Sequence, residues 1–74
     1  MKPKILTKPD AKHCKAEIYA LPVFICNVQT KCWSGKVNFI DRGLRLFSTT
    51  SEIVRTSYED AAKDAENIAR DNGF

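Results

Sequence analysis

The sequence predicts an α+β fold: an antiparallel three- to four-stranded meander with one C-terminal α-helix packed across one face. Three observations carry this. Residues 17–49 are rich in β-branched and aromatic side chains, which favour a pleated, half-buried surface. Turn signals interrupt them at Ser34-Gly35 and Asp41-Arg42-Gly43,. From Tyr58 onward, apolar residues recur at helical spacing between an N-cap and a glycine stop,.

Residues 1–15 read as a flexible, basic, extended arm ahead of a single domain spanning residues 16–74. Pro3 and Pro9 disfavour helix at the residues before them. Lys2, Lys4, Lys8, Lys12 and Lys15 fall in this arm without apolar periodicity. Residues 17–29 then fit a long first strand, in which Pro22, lacking an N–H, marks an edge position or a bulge. Residues 30–35 form a loop containing Lys31 and Trp33. Residues 36–41 form a second strand, with Val37 and Phe39 on one face. Gly43 allows the tight connection that follows. Residues 44–49 form a third strand, with Leu44 and Leu46 toward the core. Residues 53–56 add a short fourth.

The helix is the best-defined element. Ser57 is a good N-cap, and Glu59 and Asp60 complement the positive end of the helix dipole. Tyr58, Ala61, Ala62, Ala65, Ile68 and Ala69 trace one stripe,. Asn72-Gly73 ends the helix, with Phe74 placed to fold back near Ala69 in a Schellman motif. A stripe made mostly of alanine suits close approach to a flat sheet. Strand alternation then leaves Lys36, Asn38, Ile40, Arg45 and Phe47 on the opposite, open face.

Size bounds the function. The chain has 74 residues, 43% of them hydrophobic and 28% charged. A domain this small buries only about 60% of its unfolded surface, so a deep catalytic pocket would hollow out a thin core. No apolar run approaches the ~20 residues of a membrane span, and no apolar segment of signal-peptide type is present. A complete cytoplasmic gene product is the expectation. Three cysteines, Cys14, Cys26 and Cys32, do not make a closed disulfide framework, and reduced thiols are expected.

Candidate chemistry is sparse. His13, Cys14, Cys26 and Cys32 are the soft metal ligands, yet no pair has the C-x₂₋₄-C spacing that wraps an ion. No metal and no cofactor is therefore expected. His13 beside Cys14 is the only nucleophile–base pairing, and it qualifies as catalytic only if both stand on a rigid element next to a carboxylate. Placed in a lysine-rich arm, Cys14 is expected to label, not to turn over substrate. The helix acids, interleaved with Lys63 and Arg70, read as a solvated face. Neither a phosphate loop nor a dinucleotide fingerprint nor a hydrolase elbow appears. The expectation is no catalytic residue and no enzyme.

Binding is what remains. Residues 1–36 carry seven cations against two anions, and residues 37–74 five against seven, so the front half is basic. Lysines in an arm and on an open sheet face, with Trp33 able to stack on a base, would suit DNA or RNA. The expected architecture resembles the arm-binding domains of tyrosine recombinases, which read DNA with a sheet; the likeness is of fold alone and assigns no residue. Against it, a pI near 8.9 is below the range of strongly committed nucleic-acid domains. Aromatic and apolar anchors ringed by Lys and Arg suit a protein interface. In general character the chain resembles accessory and inhibitor proteins of phages and mobile elements, with no motif to carry that likeness. The sequence therefore favours a non-enzymatic module binding a protein through Lys31, Trp33, Lys36, Asn38, Arg45 and Phe47. Nucleic-acid binding is the alternative. No membrane partner is expected, and self-association through the first strand is a further option.

Overall fold

The structure is a computed structural model that describes residues 3–74; residues 1–2 of the arm, Lys2 among them, lie outside the described residues. Four antiparallel strands form one open sheet in the order β1-β2-β3-β4: β1 Lys4–Lys8, β2 Ala11–Ile25, β3 Val28–Asp41 and β4 Leu44–Arg55. One helix, α1 Tyr58–Asp71, packs on the sheet. No helix among the described residues is long and apolar enough to cross a membrane.

From Lys4 onward the N-terminal segment is part of the sheet. Lys4–Thr7 pair with Lys15–Ile18, and Pro9-Asp10 make the turn between β1 and β2. The boundary expected at residue 15 falls inside β2. The reason is the Ile5-Leu6 pair. Leu6 packs against the core, while Lys4 reaches Glu66 on the helix. The two prolines sit just outside the strand, where a missing N–H costs nothing.

Two expected turns also move. The first long hairpin turns at Cys26-Asn27, both at positive φ (51° and 65°), as a two-residue mirror-image turn requires. Residues 30–35, expected as a loop, belong to β3. Gly35 in particular is not a turn glycine. A Cβ there would lie 2.2 Å from the carbonyl oxygen of Ala61 and 2.9 Å from the amide nitrogen of Ala65. Gly35 is the point where the helix backbone rests on the sheet. The turn at Arg42-Gly43 (φ 51° and 82°) is where the sequence puts it. The expected third and fourth strands are a single strand, β4, kinked by two register shifts. Pro22 adjoins a register shift in β2, as its missing donor predicts.

The helix matches its sequence reading. Ser57 caps it, accepting from the Asp60 amide. At the other end the Phe74 amide donates to the Ala69 carbonyl and the Gly73 amide to the Arg70 carbonyl, with Gly73 at φ 92°. These are the two bonds of a Schellman motif. Ala61, Ala65 and Ala69 are fully buried against Ala16, Ile18, Ala20, Val37 and Phe39, with Leu6, Ile68 and Phe74 at the margin. Ile18, Val37 and Phe39 are the large side chains buried almost completely among the described residues. Each contributes about 1.5–3 kcal/mol, so the core is thin.

Helix and sheet differ in length. Fourteen residues of helix span about 21 Å at 1.5 Å each, whereas the fourteen of β3, at about twice that rise per residue, run roughly twice as far. The molecule measures 41 × 20 × 20 Å. The β2–β3 hairpin therefore projects past the helix, its apolar residues near the turn without cover.

Candidate functional site

The face of the sheet turned from the helix follows from strand alternation and register. Glu17 lies opposite Asn38, which lies opposite Ser48; Tyr19 lies opposite Lys36, which lies opposite Thr50. Farther along, Leu21, Ser34 and Val54 form one row, and Ile25 pairs with Val28 nearer the turn. At the opposite end, Lys15 pairs with Ile40, and Ile40 with Arg45.

This face has two halves of different chemistry. The half behind the helix is polar and tied together at Asn38, which is only 7% exposed. The Asn38 amide donates to Glu17 Oε1 at 2.9 Å and to the Tyr19 hydroxyl at 3.1 Å, and its carbonyl accepts from Ser48 Oγ at 2.5 Å. Every buried side-chain polar atom among the described residues has a partner, as a buried polar centre requires. Lys15, Lys36 and Arg45 surround this network without an ion-pair partner among the described residues.

The other half is apolar. Leu21 (40% exposed), Ile25 (63%), Val28 (66%) and Val54 (53%) lie on the hairpin and the adjoining end of β4, with Val23 between them. Where β1 stops, the edge of β2 opens into a groove of about 480 Å³ lined by Pro3, Glu17, Tyr19, Ala20, Trp33 and Tyr58. Beyond Ile18, β2 has no register partner on the β1 side among the described residues. The strand expected to offer an edge is thus covered by β1 over Lys15–Ile18 and open past Ile18.

The six residues singled out in the sequence separate. Lys36, Asn38 and Arg45 share the open face. Trp33 does not project from a loop: it sits in β3 on the helix side, half-buried, edge-on to Tyr58 with ring centroids 5.3 Å apart. Phe47 also lies on the helix side, stacked on Phe39 at 4.7 Å. Between Phe39↔Phe47 and Ile40↔Arg45, β4 carries one extra residue, Leu46. One inserted residue inverts the alternation beyond it, which moves Phe47 off the expected face. Lys31 is exposed within β3, at the stretch where the pairing with β2 shifts. Leu21, Ile25, Val28 and Val54 were not among the sequence candidates. Asn27, a residue that tolerates positive φ, was the signal that would have placed the turn and so revealed the projecting hairpin.

Electrostatics on the helix side are local and satisfied. Arg55 donates to both oxygens of Asp64, at 2.8 and 3.1 Å, and this holds the Asp64 carboxyl below the usual carboxylate range. Hydrogen bonding from Lys4, and secondarily from Arg70, does the same for Glu66. Glu59 is lowered by a backbone hydrogen bond and by the Ser57 hydroxyl.

His13 and Cys14 lie in β2, beside the carboxylate of Asp41. Comparison with protein-family models, with curated protein sequences and with solved structures returned no match.

Proposed function

We propose that this chain is a non-enzymatic interaction module that binds a protein partner through the open face of its sheet. The observation that supports this most directly is the uncovered apolar half of that face: Leu21, Ile25, Val28 and Val54, all substantially exposed. Clustered exposed apolar residues rimmed by polar ones are the usual composition of a protein-docking patch. The Asn38 network gives the patch a fixed polar border, and Lys36 supplies charge at its rim, where charge sets encounter rate and partner choice. Trp33, packed on Tyr58, is withdrawn from this role and serves the domain itself.

The test is site-specific photocrosslinking in the producing cell. A photoreactive residue replaces Val28 in one variant and Lys63, on the outer face of the helix, in another. The expected result is a discrete protein adduct from position 28 that survives nuclease treatment and is absent from position 63. Equal labelling from both positions, or no adduct at 28, refutes the reading.

A second reading, nucleic-acid binding, draws on Lys15, Lys36 and Arg45 lying on one face without ion-pair partners among the described residues. It predicts affinity for short DNA or RNA that collapses between about 50 and 200 mM salt. Half-buried Trp33 lies on the helix side of β3, against Tyr58, and so on the opposite face of the sheet from Lys15, Lys36 and Arg45; it cannot stack on a base held by those cations, which is why the protein reading is preferred.

A further inference from the structure

His13, Cys14 and Asp41 converge at the end of the sheet opposite the projecting hairpin. Asp41 Oδ1 lies 3.5 Å from His13 Nε2 and 3.8 Å from Cys14 Sγ, and one ligand atom of each residue lies within 4.8 Å of the others. We propose that these three side chains form a binding site for a zinc-class divalent ion, with one coordination position left open to solvent.

Neighbouring residues of a regular strand point to opposite faces, so His13 and Cys14 should not reach one carboxylate. A bulge brings them together. Thr7 pairs with Lys15 and the next residue, Lys8, pairs with Ala11; Lys12, His13 and Cys14 are left with no β1 partner. Bulges re-aim side chains in this way, and they are over-represented next to functional sites. Asp41 comes from the neighbouring strand, where it pairs with Cys14.

The spacing suits the ion. Zinc bonds of about 2.0–2.1 Å to nitrogen or oxygen and about 2.3 Å to sulfur, at tetrahedral angles, put N and O about 3.4 Å apart and S and O about 3.6 Å apart. The two measured separations exceed these by only a few tenths of an ångström. The donor set of imidazole, thiol and carboxylate selects a borderline-soft ion over calcium or magnesium, which take oxygen ligands. Supporting contacts are in place. Arg42 Nη1 lies 3.4 Å from Asp41 Oδ2, which leaves Oδ1 to face the other two ligands. The Arg42 amide donates to the His13 carbonyl at 2.9 Å, locking the bulge to the β3–β4 turn. Such outer contacts orient ligands. Three protein ligands with an open position is also the ligand count of zinc sites that exchange a bound molecule.

Binding replaces the S–H bond of Cys14 with a sulfur–metal bond and releases the proton to solvent. The experiment is a titration of the full, reduced chain with Co²⁺, read by absorption, followed by Zn²⁺. The expected result is tetrahedral visible bands with thiolate-to-cobalt charge transfer, saturating at one equivalent and erased by one equivalent of Zn²⁺. Cys14→Ser should abolish the charge-transfer band. His13→Gln and Asp41→Asn should each weaken affinity at least tenfold. Cys26→Ser and Cys32→Ser should change nothing. Far-UV circular dichroism checks that each variant is folded, and the His13→Gln arm stands if Cys14→Ser is not. Only the spectrum of hydrated cobalt, a band that depends on Cys26 or Cys32, or saturation at half an equivalent would overturn the proposal.

Discussion

Gly35→Ala should lower stability far more than its one methyl group suggests. The added Cβ would sit 2.2 Å from the Ala61 carbonyl oxygen, 2.9 Å from the Ala65 amide nitrogen and 3.0 Å from the Ala65 Cβ. The two nearest are backbone atoms, so no rotamer change relieves the clash. To reach ordinary contact the helix must retreat by about 1 Å, loosening the seating of Ala61, Ala65 and Ala69 together. Overpacking of this sort costs about 1–3 kcal/mol, and an immovable backbone puts the cost at the upper end. Replacing glycine returns about 0.4–1 kcal/mol through the unfolded chain. The net loss is about 2 kcal/mol, which at 4–8 °C per kcal/mol for a domain of this size lowers Tm by about 8–16 °C. Thermal melts followed at a helix wavelength read this directly. A melting point within about 2 °C of the parent, with unchanged helix content, would refute the placement of the helix over Gly35.

Three further outcomes are expected. Asn38→Ala removes the centre of three side-chain hydrogen bonds on a nearly buried residue and should cost about 1–3 kcal/mol, seen as a lower urea midpoint with unchanged slope. Arg55→Leu removes the hydrogen bonds that depress the Asp64 carboxyl. A depressed folded value means stability that is full above the ordinary carboxylate range and is lost as pH falls through the folded value. Melts should therefore show a small deficit near neutral pH, shrinking toward nothing at the acid end. Phe74→Ala empties the space beside Phe39, whose ring centroid lies 5.6 Å from that of Phe74. For a half-buried ring the loss should be about half of the 3–5 kcal/mol typical of a buried one, measured by the same denaturant titration.

What the sequence made legible depended on how local the controlling physics was. The helix was readable because its cap, its alanine stripe and its Schellman ending are set by residues within a turn or two of one another. The turn at Arg42-Gly43 was readable for the same reason. Gly35 misled because glycine serves two unrelated purposes, a turn or a close approach, and only the partner helix decides between them. The open face was recovered at Lys36, Asn38 and Arg45, where alternation runs unbroken. It failed at Phe47, one bulge away. Pairing of the arm through Leu6 was hidden by the lysines around it. The meeting of His13 and Cys14 with Asp41 was hidden more deeply, since the thiol and the carboxylate lie 27 residues apart and ligand-spacing rules read only short loops.

The strand order β1-β2-β3-β4 also bears on how fast this chain folds. Every neighbour in the sheet is a neighbour in sequence, joined by turns of two residues at Pro9-Asp10, Cys26-Asn27 and Arg42-Gly43. Each hairpin can close without waiting for a distant segment, so loop-closure entropy is met in small steps. The polar contacts that span nearly the whole chain, Lys4 with Glu66 and Lys8 over the Phe74 ring, lie at its two ends and are dispensable for the closing of the hairpins. Refolding should therefore be quick for a protein that is mostly sheet. Its last event should be the settling of the alanine stripe onto Gly35, the step that needs the sheet already made.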